Sequence, residues 1–228
     1  MMTEVERAGL AARYGKVRSA IPPHVTLVAV SKTRSLEEIQ AMYDLGHRAF
    51  GENYIQELCE KQGRLPADIE WHFIGHLQSN KVKQIVPFVH LIHGVDSSRL
   101  LDELDKRAAS AGRIINVLLQ VHIAQEDTKH GFSAEELLEL FDTPWRWPHV
   151  RIRGLMGMAT NTDDDAVVSL EFAVLAALFQ RLRPVVGSPD FDTLSMGMSG
   201  DAALAITAGS TLVRIGTAIF GERPAKLS

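Results

Sequence analysis

The sequence predicts a closed (β/α)8 barrel of the α/β class, with residues 1–228 forming a single domain. Three observations favour this fold. Short runs rich in β-branched residues alternate with segments of helical periodicity along almost the whole chain. The strand-like runs are continuously apolar, which is typical of parallel strands covered on both faces. The rival fold, an open doubly wound sheet, would need a Gly-x-Gly-x-x-Gly motif after its first strand to bind a dinucleotide, and no such motif stands there.

The predicted elements follow one another in a regular order. A helix at about 3–20 precedes the first strand. The β-branched runs predict eight strands, at 26–31, 48–51, 70–75, 90–95, 114–123, 150–157, 192–196 and 212–216. Apolar periodicity predicts seven helices between them, at about 35–46, 53–63, 79–86, 97–111, 133–141, 164–183 and 200–208. Ser35, Ser97 and Ser133 are suitable N-caps for three of these helices.

The composition is ordinary for a soluble globular protein, with 46% hydrophobic and 23% charged residues. A net charge of −4 gives no general attraction to nucleic acid or to acidic membranes. Cys59 is the sole cysteine, which excludes an internal disulfide and a cysteine metal cluster. The first residues lack the apolar core of a signal peptide, and no apolar stretch is long enough to span a bilayer. We therefore expect a cytoplasmic protein with no nucleic-acid or membrane partner.

The histidines predict no metal site. His90 and His93 lie three residues apart in a predicted strand, so we expect their side chains on opposite faces. His72 and His76 lack a neighbouring pattern of carboxylate ligands, and there is no His-Glu-x-x-His motif. A serine nucleophile is not indicated either, because the segment 197–201 lacks the second glycine of Gly-x-Ser-x-Gly.

Lys32 directly follows the first predicted strand, at the end of the barrel where active sites are built. A lysine at this point is close to water but backed by apolar core. Such surroundings disfavour the ammonium form and can yield a neutral amine that attacks an aldehyde. From this feature alone, an ordinary solvated loop lysine is the simpler interpretation, so the choice depends on the other strand ends that converge on the same face.

The loops after the seventh and eighth strands predict a phosphate site, because these loops hold phosphate in many barrels of this kind. Ser199 and Gly200 stand before a predicted helix, whose first N–H groups favour an anion. Gly216 and Thr217 offer the same combination after the last strand. The alternative for each pair is an ordinary capped turn. Their position in adjacent loops favours a shared phosphate site.

Arg214 lies inside the apolar last strand, two residues before Gly216. Strand alternation places its side chain opposite those of Val213 and Ile215, facing the mouth of the barrel. It is either half of a structural ion pair or a donor to a ring nitrogen of the ligand whose phosphate is bound beside it. The sequence leaves both interpretations open.

Five long motifs give the chain a family resemblance. They are Val-Ala-Val-Ser-Lys at 28–32, Phe-Gly-Glu-Asn-Tyr at 50–54, and the segments 71–81, 195–201 and 209–221. In these motifs, from about residue 24 to residue 223, the chain resembles the pyridoxal phosphate homeostasis proteins, which are related to the N-terminal barrel of alanine racemase. The resemblance implies a TIM barrel of the alanine racemase N-terminal type.

The resemblance also implies pyridoxal 5′-phosphate as the cofactor and assigns roles to individual residues. Lys32 would hold the cofactor as a Schiff base, Arg214 would contact the pyridine nitrogen, and Asn53 would lie on the side of the ring hydroxyl. The phosphate would be held by Ser199, Gly200, Gly216 and Thr217. The implied function is homeostasis of the cofactor without substantial catalysis, with no catalytic residue assigned. The implied partners are the cofactor and apo-enzymes that depend on pyridoxal 5′-phosphate (PLP). The implied oligomeric state is a monomer or a weak dimer.

A small amino-acid racemase of the same fold is the alternative function. Arginine stays protonated and gives no proton to the pyridine nitrogen, so the ring is a weak electron sink, which argues against transamination. Racemisation survives this objection but needs a second base on the far face of the substrate. Related racemases draw a tyrosine for that purpose from an extra C-terminal domain, and this chain ends eleven residues after Thr217. Tyr54 is the one tyrosine expected near the mouth.

Overall fold

The computed structural model describes residues 2–126 and 130–222. Within these residues, eight parallel strands close into a barrel in chain order, each pairing with the next. The barrel closes where Thr26 and Ala29 of the first strand lie opposite Leu212 and Ile215 of the last. The (β/α)8 barrel is therefore confirmed. Parts of the predicted domain 1–228, namely residues 1, 127–129 and 223–228, lie outside the described residues, and a single domain over the whole chain stays a prediction.

The strands are short and alternate with helices on the outside of the barrel. The strands are β1 Thr26–Val30, β2 Ala49–Glu52, β3 Glu70–Phe73, β4 Leu91–Val95, β5 Ile115–Gln120, β6 Val150–Met156, β7 Thr193–Ser195 and β8 Leu212–Ile215. The helices are α1 Glu4–Ala20, α2 Leu36–Asp44, α3 Ile55–Gln62, α4 Val82–Ile85, α5 Ser98–Ser110, α6 Ala134–Asp142, α7 Asp165–Val186, α8 Ala202–Thr207 and α9 Thr217–Phe220. A 3₁₀ turn, Ser79–Lys81, precedes α4. No helix in the described part of the chain combines the length and apolarity needed to cross a bilayer.

The predicted N-caps are confirmed. The Ser35 and Ser133 side chains accept hydrogen bonds from the backbone of the third helical residue, and Glu38 and Glu136 return the bond to the cap. Ser97 accepts from the Leu100 N–H. These reciprocal bonds satisfy N–H groups that have no partner within the helix, so they fix where α2 and α6 begin.

Several elements differ from the prediction, including the following three. The last helix, α9, was not predicted, because four residues are too few to show helical periodicity. The fifth strand ends at Gln120 rather than at residue 123, since Val121 forms only an isolated bridge with Phe132. The sixth predicted helix extends to Val186, past Pro184, because the proline lies in the last turn and the helix stops at Gly187, with φ of +62°.

Strand alternation divides the barrel into two layers of side chains. One set faces the helices and forms the main core. The other set faces the barrel interior and includes Val28, Ala49, Leu91, Leu118, Met156 and Leu212. The next interior side chain on each strand lies two residues further toward the carboxyl end. On β4 this residue is His93, after Leu91, and on β8 it is Arg214, after Leu212. The interior therefore carries polar groups toward the carboxyl ends of the strands.

Candidate functional site

A cavity of about 260 Å³ opens at the carboxyl ends of the strands. It is lined by Val30, Lys32, Arg34, Met198, Ser199, Gly200, Arg214, Gly216 and Thr217. Six of the seven predicted site residues are in this lining, and Asn53 is not. This volume is slightly below the roughly 300–1,000 Å³ of pockets for drug-sized molecules, so it suits a smaller ligand.

Lys32 is half-buried and lies in a turn at 31–34, the Lys32 turn, which its neighbours hold in place. The Ser31 N–H donates to the carbonyl of Gly51 on β2 at 2.9 Å. Thr33 has φ of +64°, a left-handed conformation that is costly for a residue with a side chain. The Thr33 N–H donates to Glu57 Oε1 at 2.5 Å, which stabilises that conformation. Contacts on both sides therefore fix the backbone of Lys32.

A buried ion-pair network lies next to the Lys32 turn. Lys61 Nζ lies 2.7 Å from Glu52 Oε1 and 2.6 Å from Glu57 Oε1, and it donates to the carbonyl of Ser31 at 2.7 Å. The Ser31 hydroxyl donates to the same Glu52 oxygen at 2.5 Å. Burial raises the pKa of Glu52 to about 7, against the opposing effect of the Lys61 ammonium. The network joins β1, β2 and α3 at the point where Lys32 leaves the barrel wall.

The Arg214 side chain is almost fully buried in the barrel interior, 5% exposed, and reaches the cavity. Its Nη1 donates to the carbonyl of Ser195 at 3.1 Å and to the Ser195 hydroxyl, and its Nη2 donates to the carbonyl of Gly157 at 3.2 Å. All three acceptors are uncharged, which disfavours the structural ion pair. Burial lowers the pKa of Arg214 to about 10, so the guanidinium stays charged at neutral pH. A guanidinium has five N–H donors, and within the described residues three are used.

A line of hydrogen-bonded side chains, the interior polar line, runs from Arg214 through Ser195 and His93 to His72. Ser195 Oγ lies 3.1 Å from His93 Nδ1, and His93 Nε2 lies 2.9 Å from His72 Nδ1. Burial lowers the pKa of His72 to about 3 and that of His93 well below its usual value. Both imidazoles are therefore neutral at pH 7, and each nitrogen in the line is either a donor or an acceptor.

The expectation that His90 and His93 point to opposite faces is wrong. The strand β4 begins at Leu91, so His90 precedes it and does not follow its alternation. The His90 and His93 rings both neighbour that of His72, with centroid separations of 5.3 Å and 5.2 Å. The sequence also did not show that Glu70 lies beside them.

The two predicted phosphate loops lie side by side at the cavity. Ser199 and Gly200 are exposed, and a Cβ built on Gly200 would meet nothing within 4 Å, so the backbone is open to a ligand. A Cβ on Gly216 would approach the Val30 carbonyl oxygen to 3.2 Å, so a glycine permits this close packing of the loop on β1. Thr217 is the first residue of α9, where N–H groups have no intrahelical acceptor.

The helix after Ser199 and Gly200 contributes less than the sequence suggested. The predicted helix at 200–208 spans only Ala202–Thr207, so its dipole is small. Asp201 precedes it, and its carboxylate accepts a hydrogen bond from the Met198 N–H at 2.5 Å. The loop therefore offers N–H groups and a hydroxyl rather than a strong helix terminus.

Asn53 follows β2 but does not line the cavity. Its Oδ1 atom is buried and has no hydrogen-bond partner within the described residues. A Cβ on Gly75 would clash with the Asn53 carbonyl oxygen, so a glycine at 75 lets the loop after β3 pack closely there. The assignment of Asn53 to the ligand stays a prediction.

Sequence reasoning missed Arg34, Ser195 and His93. Arg34 lines the cavity, and its guanidinium donates to the carbonyls of Phe220, Gly221 and Glu222. Its position two residues after Lys32 was the available signal. The sequence shows Ser195 only as part of the motif at 195–201, and the contact of Ser195 with Arg214 depends on the β7–β8 register, which the sequence does not state.

Comparisons with known proteins agree with this fold. The family described as "Alanine racemase, N-terminal domain" matches residues 5–224. PipY of Synechococcus elongatus PCC7942, solved without PLP, superposes with a TM-score of 0.84 at 37% identity, covering 93% of this chain and 100% of that one. The same protein with PLP bound gives a TM-score of 0.81 at 36% identity, with the same coverage.

Fold and site together define a (β/α)8 barrel of the alanine racemase N-terminal type with a ligand cavity at its carboxyl end. A curated relative from Pasteurella multocida, named pyridoxal phosphate homeostasis protein, is 43% identical over 204 residues, covering 87% of each chain. The relative of the same name from Escherichia coli K12 is 41% identical over 207 residues, covering 89% of this chain and 87% of its own. The chain belongs to the family of pyridoxal phosphate homeostasis proteins.

Proposed function

We propose that this chain binds pyridoxal 5′-phosphate reversibly in the cavity at the carboxyl ends of the strands. In this proposal it takes part in cofactor homeostasis in the cytoplasm, without substantial catalysis of its own. The observation that supports it most directly is that Lys32, Arg214 and the two phosphate loops line one cavity. The names of the relatives and the PLP-bound PipY structure add support.

The residues present fit this cofactor. When bound, pyridoxal 5′-phosphate supplies an aldehyde that condenses with a primary amine, an electron-poor pyridine ring and a phosphate. The cavity offers the amine of Lys32 and a buried cationic fork at Arg214. The exposed backbone at Gly200 leaves room for an anion to approach. Asn53 does not line the cavity, so its place beside the ring hydroxyl rests on the family resemblance.

Each side chain has a distinct task in this proposal. Lys32 would hold the cofactor through its amine, which can condense with an aldehyde with the loss of one water. Ser199, Gly200, Gly216 and Thr217 would hold the phosphate through N–H and hydroxyl groups. Asn53 would lie on the side of the ring hydroxyl. The buried network at Glu52 and Lys61 holds the Lys32 turn so that the amine is presented to the cavity.

Arg214 accounts for the absence of substantial catalysis in this proposal. Because its guanidinium remains protonated at neutral pH, it donates to the pyridine nitrogen without transferring a proton. An unprotonated ring stabilises a substrate carbanion poorly, so amino-acid chemistry at the α-carbon is disfavoured. Incubation with single amino-acid enantiomers in deuterated water tests this directly. Rapid α-proton exchange with turnover would favour the racemase instead.

Replacement of the amine tests the binding mode. We expect Lys32→Ala to abolish the visible Schiff-base absorption and the labelling by borohydride, because no primary amine remains at the cavity. Lys83→Ala, which removes an exposed lysine on α4, is the matched control and should keep both signals. A label that persists in Lys32→Ala, or that is lost in Lys83→Ala, would show that the cofactor is attached elsewhere.

The proposal extends to the recipients of the cofactor. Reversible attachment at Lys32 would allow transfer to PLP-dependent apo-enzymes, with this chain acting as a monomer or weak dimer. Direct transfer can be measured by mixing the loaded protein with an apo-enzyme in the presence of a reagent that captures any free cofactor. Activation no faster than the release of the cofactor into solution would contradict direct transfer.

A further inference from the structure

A second cluster of potential ligands lies at the amino-terminal end of the barrel, opposite the cavity. Glu70 is the first residue of β3, His72 lies two residues further along the same face, and His90 immediately precedes β4. One ligand atom from each, a carboxylate oxygen and two imidazole nitrogens, lies within 4.8 Å of the other two. Glu70 and His90 are exposed, whereas His72 is buried.

The buried member of this cluster has an unsatisfied nitrogen. His72 is only 3% exposed, and its Nδ1 is engaged by His93 Nε2 at 2.9 Å. Its Nε2 is buried and has no hydrogen-bond partner within the described residues. Buried polar atoms are nearly always satisfied in native proteins, so an orphan atom calls for an explanation. Because Nδ1 is already used, Nε2 is the nitrogen that remains for a ligand.

We propose that Glu70, His72 and His90 form a binding site for a divalent transition metal, with Zn²⁺ as the best match. Two imidazoles and one carboxylate are an established zinc ligand set that leaves a fourth position for water. Ligand atoms 2.0–2.1 Å from a tetrahedral ion lie about 3.3–3.5 Å apart, so the cluster must close by at most about 1.5 Å. The two exposed side chains can make this adjustment by rotation, while His72 stays fixed.

The contact between His72 and His93 supplies the support that a metal-binding histidine requires. Such a histidine normally uses its second nitrogen in a hydrogen bond that fixes the ring and the tautomer. Here that partner is His93, which in turn contacts Ser195. The site is independent of the proposed cofactor function, since none of its three ligands lines the cavity.

A metal on His72 Nε2 would set the direction of the interior polar line. The proton would then lie on His72 Nδ1, which would donate to His93 Nε2, and His93 Nδ1–H would donate to Ser195 Oγ. Without the metal, the Ser195 hydroxyl can donate to His93 Nδ1, and the line can run the other way. Metal binding thus fixes the tautomer of His93, next to the serine that Arg214 contacts.

Calorimetric titration of the full-length, chelator-treated protein with Zn²⁺ tests the site. We expect one equivalent to bind, and we expect His90→Ala and Glu70→Gln each to weaken the affinity at least tenfold. His24→Ala removes an exposed histidine just before β1 and is the control, with affinity unchanged. The proposal is overturned if no equivalent binds, or if His24→Ala and His90→Ala have equal effects.

The tautomer is read separately by nitrogen NMR of the histidine side chains, with and without Zn²⁺. We expect the signal of His72 Nε2 to shift as it becomes a ligand and His93 to carry its proton on Nδ1 in the zinc form. Stoichiometric binding that leaves His72 unchanged would place the ion elsewhere and overturn the site. Both variants used in the titration replace exposed residues and leave the buried His72 in place.

Discussion

At the scale of single residues, Arg214 is firmly held in the candidate site. Three hydrogen bonds to Ser195 and Gly157 hold its guanidinium in the barrel interior. The planar fork is therefore oriented before any ligand arrives, which reduces the entropy lost on binding. Because the guanidinium is fixed, its N–H groups can recognise where an acceptor nitrogen lies in a ligand ring, in addition to recognising the charge of the ligand.

Arg214→Lys tests that role. An ammonium keeps the charge but cannot donate in a fixed plane to Ser195, Gly157 and a ligand at once. We expect a shifted absorption band of the bound cofactor and about tenfold weaker retention, which corresponds to about 1.4 kcal/mol. Arg214→Glu, which reverses the charge, should have a larger effect in the same direction.

Absorption spectra and dialysis against buffer measure both quantities. Arg151→Lys, an exposed arginine on β6, is the matched control and should behave as the unchanged protein does. Identical spectra and retention in Arg214→Lys and Arg214→Glu would rule out a contact with the ring nitrogen.

At the scale of elements, the Lys32 turn depends on α3 more than on its own sequence. Thr33 is held in a left-handed conformation by Glu57 of α3, and Lys61 of the same helix bonds to the carbonyl of Ser31. The link between α3 and the turn passes through buried charges, Glu52 being fully buried and Lys61 4% exposed. Such a pair is costly to break because one charge is then left unpaired.

Lys61→Met tests this link. We expect a loss of about 3–5 kcal/mol in the free energy of unfolding, because the Glu52 carboxylate loses its partner in the interior. Glu52→Gln in the same chain should recover much of the loss, since an amide needs no counter-ion. Urea unfolding of both single variants and the double variant forms the double-mutant cycle. Additive losses would show that the two groups are not coupled.

The loss from Lys61→Met should also grow with pH. In the unchanged protein the folded pKa of Glu52 is about 7, above the usual value of 4.5 in an unfolded chain, so its ionisation lowers stability between these values. Removal of the ammonium raises the folded pKa further, and stability then continues to fall above pH 7. The difference between the two proteins is therefore larger at pH 8 than at pH 6. Glu60→Gln, at an exposed position on α3, should show no such trend.

The sequence predicted elements and strand ends better than it predicted contacts across the barrel. Lys32, Ser199 and Thr217 could be placed at one cavity because the carboxyl ends of parallel strands converge whatever their separation in the chain. The contact of Ser195 with Arg214 depends on the β7–β8 register, and the proximity of Glu70 and His90 depends on where β4 begins, to within one residue. Hydrophobic periodicity does not fix either quantity, so the interior polar line and the second cluster emerged only from the structure.

At the scale of the whole molecule, the described part of the barrel buries three neutral imidazoles. Burial lowers the pKa of His47 to about 4, that of His72 to about 3 and that of His93 well below its usual value. Each is accommodated by hydrogen bonds, as when His47 Nε2 meets the carbonyl of Ala49 at 2.8 Å. Above pH 6.5, the pKa of a histidine in the unfolded chain, these groups do not reduce the stability. As the pH falls below 6.5 the unfolded chain takes up protons that the buried imidazoles do not, so stability is lost until the pH reaches the lower pKa values of the folded state.

Acid sensitivity follows from proton counting at pH 5.5. Unfolding frees His47 and His72, which each take up about 0.9 proton, while Glu52, with a folded pKa of about 7, releases about 0.9. The net uptake of these three groups is about 0.9 proton, and His93, whose pKa burial also lowers, adds to it. We therefore expect the free energy of unfolding to fall by more than about 1.2 kcal/mol for each unit by which the pH is lowered near pH 5.5. Urea unfolding at closely spaced pH values measures this slope. His47→Gln removes one of the three groups and should reduce the slope by about 1.2 kcal/mol per pH unit, whereas His24→Gln, at an exposed position, should leave it unchanged. A slope near zero at pH 5.5 would mean that the buried imidazoles are already protonated in the folded barrel.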